Sequence, residues 1–227
     1  MPLKDKYLII VAGGLGKRMQ SATPKQFLEL SGKPVLMHVF EQFHNWDQNL
    51  NFILVLPETH FEKWEKLSMD HDFDIKHSIV KGGKERFDSV KNGLQAIEGQ
   101  SGIVGIHDGV RPLVTIQLIR RIFETAEQLG NAVPVIPVRE SMRWMEDDHT
   151  KALDRSKIRL VQTPQVFDNI MIKEAYQQAY RSEFTDDATV VESAGNKINF
   201  MEGDVQNIKI TDPYDIKLAE YLISNQA

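Results

Sequence analysis

Cysteine is absent from the 227 residues, which removes disulfides, thiolate nucleophiles and cysteine-based zinc sites from consideration. A reducing cytoplasm suits such a chain and is the expected location. Long apolar runs are also missing. Nothing approaches the ~18 consecutive apolar residues that span a bilayer, so no membrane partner is expected. Lys4 and Lys6 precede only a short apolar stretch with no cleavage pattern behind it, so no leader is expected either. Nor is there a basic excess: 27 Lys and Arg against 32 Asp and Glu give a net charge of -5. That balance argues against a nucleic-acid partner but leaves room for a local anion site. A 41% hydrophobic and 26% charged chain is an ordinary folding one, without repeats or low-complexity tracts, and its length suits one domain over 1–227.

What is present alternates. Residues 7–11, 51–56, 75–80, 103–107 and 132–138 read as strands, the first a near-continuous apolar run of the kind a buried parallel strand needs. Helical spacing separates them. Val35, Leu36, Val39, Phe40 and Phe43 follow Pro34; Phe61, Trp64 and Leu67 mark a second helix; Val90, Leu94 and Ile97 a third; and Thr115 caps a fourth that runs through Leu129. Strands alternating with helices predict an α/β three-layer sandwich with a mostly parallel sheet. Ligands in such sheets collect beyond the carboxyl ends of the strands.

The rhythm breaks between residues 139 and 160. Residues 141–145 and 151–154 flank Glu146-Asp147-Asp148 and read as a protruding β-arm; Met142, Trp144 and Met145 are too apolar for a free tip, which points to packing on another subunit, an ordinary surface hairpin being the alternative. Beyond the arm, 169–180 and a segment from Asp187 read as helices, and 197–201 and 207–210 as strands. Asp212-Pro213 opens the last helix.

Four groups of residues suit chemistry. Ala12-Gly13-Gly14-Leu15-Gly16-Lys17-Arg18, followed by Pro24-Lys25-Gln26, joins close backbone approach to cations and suits a polyphosphate. It matches neither a Walker A loop nor a dinucleotide fingerprint, and a flexible turn with solvated cations is the plain alternative. Gly82-Gly83-x-x-Arg86-x-x-Ser89 suits a base edge held by the glycine backbone and Ser89, or a tight strand-to-helix turn with a solvated charged first turn. His107-Asp108-Gly109-Val110-Arg111 places a carboxylate where Mg²⁺ could meet a triphosphate, or an Asp–Arg pair that braces a turn; His107 reads as structural. In the second half stand Asp154-Arg155, Thr163-Pro164-Gln165, Thr185-Asp186 and Lys209. Thr185 and Asp186 also look like helix caps, whereas a lysine inside a short apolar strand is expected to point into a polar cleft.

Taken in this order, the segments resemble the 2-C-methyl-D-erythritol 4-phosphate cytidylyltransferase family, over nearly the whole chain. The resemblance implies a nucleotide-diphospho-sugar transferase-like fold, and transfer of CMP from CTP to 2-C-methyl-D-erythritol 4-phosphate with Mg²⁺ and release of pyrophosphate. Carried over residue by residue, it puts Ala12, Gly13, Gly14, Gly83 and Ser89 around the cytidine. Gly16, Lys17, Arg18 and Lys25 would lie at the triphosphate, and Asp108, with Arg111, at the nucleotide and metal. Ser141, Arg155, Thr163, Thr185 and Lys209 would seat the sugar phosphate, with Arg18, Lys25, Arg155 and Lys209 the catalytic set. It also implies a homodimer through the 139–160 arm, with Ser141 and Arg155 serving the neighbour's site. Lys84 departs from the family pattern, where an acidic residue is common, as do Gly13 for alanine and Ser141 for threonine. The competing readings are a ribitol-5-phosphate cytidylyltransferase, similar in fold and first motif, a purine nucleotidyltransferase, and a non-catalytic nucleotide sensor.

Overall fold

Side chains alternate across a strand, and in the centre of this chain both sets are apolar. Leu8 and Ile10 of β1 (Lys6–Val11) enter one core and Ile9 the other; Phe52, Leu54 and Leu56 of β4 (Asn51–Leu56) oppose Ile53 and Val55 in the same way. The computed structural model describes residues 5–14 and 23–225. Within it the main sheet runs β10 (Arg159–Val161), β7 (Asn131–Pro137), β11 (Gln165–Asp168), β6 (Ile103–Asp108), β1, β4, β5 (His77–Lys81), and β12 (Phe200–Glu202) also pairs with β7. The pairs β1–β4, β1–β6, β4–β5 and β7–β12 are parallel, whereas β10 and β11 run against their neighbours. One face is covered by α1 (Val35–Trp46), α2 (Phe61–Asp70) and α4 (Ile116–Leu129); the other by α3 (Arg86–Gln95), α5 (Asn169–Ala175) and α6 (Asp187–Ser193). The mostly parallel three-layer α/β sandwich is therefore as expected. A short ribbon of β2 (Glu29–Leu30) and β3 (Lys33–Pro34) packs with α7 (Pro213–Ser224) in a third cluster.

The local signals act where they stand. The Thr115 hydroxyl accepts from Leu118 N at 3.2 Å and starts α4, and Gly130, at φ 85°, ends it in the left-handed conformation that costs glycine least. Asp212 caps α7 just before Pro213. Among the described residues no helix is long and apolar enough to cross a membrane.

Four expectations change. The helix read over 169–180 stops at Ala175, and the strand over 197–201 shrinks to Phe200–Glu202. Residues 207–210 join no ladder: Ile210 N instead donates to Val110 O, and Arg111 donates to Asn207 O. Two strands of the main sheet went unanticipated, β10 and β11, which lie either side of Pro164, as did the short β2–β3 ribbon. The arm itself is β8 (Met142–Glu146) paired with β9 (His149–Leu153) alone, apart from the main sheet, with Trp144 58% and Met145 67% exposed.

The approach of 203–209 to the sheet depends on Gln162. Its amide donates to Asp204 O at 2.7 Å and accepts from Asp204 N at 3.1 Å, and a Cβ at Gly203 would lie 2.4 Å from Gln162 Oε1. Gly203→Ala must break this buried pairing. A stability loss of about 1–3 kcal/mol is expected, read as a lower urea midpoint.

Candidate active site

The carboxyl ends of β1, β4, β5 and β6 open into a cleft of about 560 Å³, walled by Ala12 to Gly14, Lys25 and Gln26, Pro57, the 82–86 turn, Ser89, Asp108, Val110 and Lys209. Gln26, itself buried, donates to Ala12 O at 2.7 Å and ties the turn that carries Lys25 to the end of β1. Ala12 N donates to Val55 O and the Ala12 carbonyl already accepts from Gln26, so only the second lone pair of that carbonyl is left for a ligand. Among the described residues, a Cβ at Gly13 would meet nothing nearer than Pro57 Cδ at 4.0 Å, and one at Gly14 nothing nearer than Lys25 Cε at 3.5 Å. Gly83 is the opposite case, because its Cβ would lie 2.2 Å from Asp88 Cβ and the turn closes only without it. The Ser89 hydroxyl accepts from Gly83 N and donates to Glu85 O, both at 3.1 Å, and so braces that turn.

At the inner end stands Asp108, the last residue of β6. Lys209 Nζ lies 2.9 Å from its carboxylate, Arg111 Nε 3.4 Å and Arg86 Nε 3.7 Å. Burial would raise its pKa, but Lys209, Arg86 and Arg111 together outweigh burial and hold the carboxyl well below the usual carboxylate range. Arg111 is further anchored by donating to Asn207 O at 2.8 Å, and Arg86 by a two-point bond to Asp187 at 2.8 and 2.7 Å. Burial opposes the charge on Arg86; Asp187 overcomes it and keeps the guanidinium protonated.

A second cavity of about 130 Å³ adjoins the cleft and shares Arg86, Asp108 and Lys209 with it; Arg111, Gln162, Thr163, Gln165, Thr185 and Asp186 complete its polar wall. Thr163 Oγ1 accepts from Asp108 N at 3.0 Å and lies 3.1 Å from His107 Nδ1, while His107 Nε2 lies 3.1 Å from Arg111 O. A carbonyl needs a donor, so Nε2 carries the hydrogen, Nδ1 accepts, and the Thr163 hydroxyl donates to it. Thr163 thus has no hydrogen left for a phosphate oxygen and acts as a wall.

The structure brings together Ala12, Gly13, Gly14, Lys25, Gly83, Ser89, Asp108 and Lys209 in the cleft. Arg111, expected on the nucleotide side, lines the smaller cavity instead, drawn there by Asp108 and Asn207. Thr163 and Thr185 also line that cavity. Ser141 and Arg155 line neither; Arg155 is exposed and donates to Arg139 O. Gly16, Lys17 and Arg18 lie outside the described residues. The residue that sequence reasoning passed over is Arg86, which lines both cavities. It was visible only as one letter of the Gly82-Gly83-x-x-Arg86 motif. No group of three Asp, Glu or His suited to a metal occurs among the described residues. Mg²⁺ commonly takes one carboxylate and completes its shell with water and substrate phosphate oxygens, and the ionised Asp108 suits that donor set.

His107 is buried, and burial pushes its pKa down to about 4 from 6.5. The unfolded chain therefore binds a proton between those values that the folded chain excludes. The stability this contributes is complete above about pH 6.5 and is lost as pH falls toward 4. His77 and His38, also lowered by burial, act in the same sense. Urea midpoints measured from pH 7.5 to 4.5 should fall steadily, and the fall should be shallower in His107→Gln.

A family model described as 2-C-methyl-D-erythritol 4-phosphate cytidylyltransferase matches residues 7–225. A protein of that name from Bacteroides thetaiotaomicron is 48% identical over 216 residues, 95% of this chain and 98% of its own. One from Bacteroides fragilis is 49% identical over 215 residues, with the same shares. Among solved structures, 4-diphosphocytidyl-2C-methyl-D-erythritol synthase from Anaerococcus prevotii superposes with a TM-score of 0.82 at 25% identity, covering 98% of this chain and 97% of that one. The Thermus thermophilus 2-C-methyl-D-erythritol 4-phosphate cytidylyltransferase gives 0.78 at 29% identity, covering 98% and 100%. With a match over nearly its whole length, the chain belongs to the 2-C-methyl-D-erythritol 4-phosphate cytidylyltransferase family.

Proposed function

We propose that the two joined cavities hold the two substrates of the family's reaction, CTP-dependent cytidylyl transfer to 2-C-methyl-D-erythritol 4-phosphate in the non-mevalonate isoprenoid pathway. The observation that carries this reading is the shared wall: Arg86, Asp108 and Lys209 face both cavities at once. CTP takes the larger cleft. Its base and ribose lie against Ala12 to Gly14 and the turn at Gly83 braced by Ser89. Its triphosphate lies toward Lys25, and Gly16, Lys17 and Arg18 are assigned to it by the family resemblance alone. The acceptor phosphate takes the smaller cavity, against Lys209 and Thr185, with Thr163 and Arg111 as its wall.

An acceptor phosphate is already ionised near neutral pH, so no general base is needed. One of its oxygens forms a bond to the α-phosphorus of CTP in line with the bond to the leaving pyrophosphate, which breaks. The chain's task is to hold two anions together and to face donors at the oxygens where charge builds. Lys25 stabilises that charge and Lys209 fixes the attacking phosphate. Asp108 would hold Mg²⁺, which supplies charge neutralisation on the phosphate oxygens when bound.

Arg155 and Ser141 stand outside both cavities of their own chain. We assign them to the site of a second copy, reached through the exposed Trp144 and Met145 of the arm, in a homodimer in which 1–227 is a single domain. Substrates that are phosphorylated metabolites support the reading of a cytoplasmic enzyme. The family match does not favour the ribitol 5-phosphate or sensor readings.

Pyrophosphate release with CTP and Mg²⁺ should require 2-C-methyl-D-erythritol 4-phosphate and stay at background with ribitol 5-phosphate; the reverse result would overturn the acceptor. Lys25→Ala should lower kcat by roughly 100-fold, the usual cost of one preorganised donor. Arg155→Ala should be similarly impaired. Mixing the two variants under subunit exchange should restore about a quarter of wild-type activity, since half the dimers are mixed and each has one intact site. No recovery despite exchange would count against the shared site.

A further inference from the structure

Arg86 begins α3, Asp187 begins α6 and Tyr176 follows α5, yet their side chains meet beneath the wall between the two cavities. Asp187 is completely buried and receives both ends of the Arg86 fork, at 2.8 and 2.7 Å. The Tyr176 hydroxyl donates to the same carboxylate at 2.6 Å. Burial and the adjacent Asp187 keep that phenol protonated, as a donor must be. The Tyr176 ring is itself held, stacked on Phe87 at 4.7 Å and 20°.

A guanidinium has five N–H groups. Two go to Asp187, which leaves three, on a side chain still 27% exposed and facing both cavities. Arg86 Nε stands 3.7 Å from Asp108, too far for a hydrogen bond. Released from Asp187, a guanidinium this close would close onto Asp108 and compete with Lys209 for it. A buried ion pair that only braced α3 against α6 would not need an open edge toward two ligand cavities.

We infer that Arg86 is a donor to the phosphate oxygens at the seam between the two substrates, and that Asp187 and Tyr176 are positioning residues that hold its guanidinium there. The inference rests on the cytidylyl-transfer reading, so wild-type turnover is established before any variant is compared.

Tyr176→Phe tests it, because it removes one hydroxyl and keeps the stacked ring. The variant should lower kcat about 10-fold, the loss that follows from one charge-assisted hydrogen bond, with the KM for CTP changed less than threefold. Arg86→Lys keeps the charge but loses the fork, and should lower kcat roughly 100-fold. The decisive measurement is the double variant: Tyr176→Phe should cost less than twofold when Lys already occupies position 86, because its effect passes through the guanidinium. Urea midpoints of all three variants separate folding from turnover. A Tyr176→Phe protein that loses stability but keeps wild-type kcat would overturn the inference. So would wild-type kcat in Arg86→Lys, or an equal Tyr176→Phe loss in both backgrounds.

Discussion

The site depends on one buried carboxylate. Asp108 ends the central strand β6 with three cations around it, and each cation brings a different part of the chain. Arg86 brings the turn after β5, Arg111 the loop that follows β6, and Lys209 the segment between β12 and α7. A charge taken out of water is costly unless paired. The energy that stabilises Asp108 is therefore also what draws two distant segments, and the loop that follows β6, to the end of one strand. Remove the carboxylate and the three cations repel each other across the same space.

The three cations are not equivalent. Arg86 is bound a second time by Asp187 and Arg111 by the Asn207 carbonyl, whereas Lys209 has 40% of its side chain exposed and the shortest contact to Asp108. The two guanidiniums are fixed parts of the wall. The ammonium, on a flexible stem with rotatable donors, is the member able to turn toward an entering phosphate. That division fits a site whose acceptor arrives as an anion and leaves as part of a larger product.

The parts of this arrangement that sequence reasoning reached are those governed by local rules. The apolar runs of β1, β4 and β6 feed both cores, so they announce themselves as central strands; Thr115 and Asp212 cap helices where they stand. The parts that escaped it are set by long-range partners. Residues 207–210 look like a strand because Ile208 and Ile210 flank a lysine, but their backbone bonds go to Val110 and Arg111, and the segment is a strap. β11 is short and begins with Gln165, whose buried amide donates to Asp186 and accepts from Ala188 N, both at the start of α6. Arg86 reads as a solvated first-turn charge until Asp187, 101 residues away, is seen to hold it. Thr163 looks like a ligand hydroxyl until His107 and Asp108 are seen to take both its donor and an acceptor site. Composition and period carry the fold; the roles of polar side chains depend on partners that no local window contains.

Net charge shows the same limit in another form. The chain carries -5, which argues against a nucleic-acid partner but says nothing of a single cleft. Yet at the end of β6 the balance reverses: Arg86, Arg111 and Lys209 face Asp108 and Asp187, and Lys25 stands across the cleft. Low-dielectric walls focus a local excess of this kind, and attraction to a triphosphate is governed by the cleft and not by the sum over the surface. The negative remainder has its own consequence. A surface of like charge to the substrates leaves the cleft as the favourable place for them, so two anions that repel in solution meet where fixed cations have already been assembled against one carboxylate.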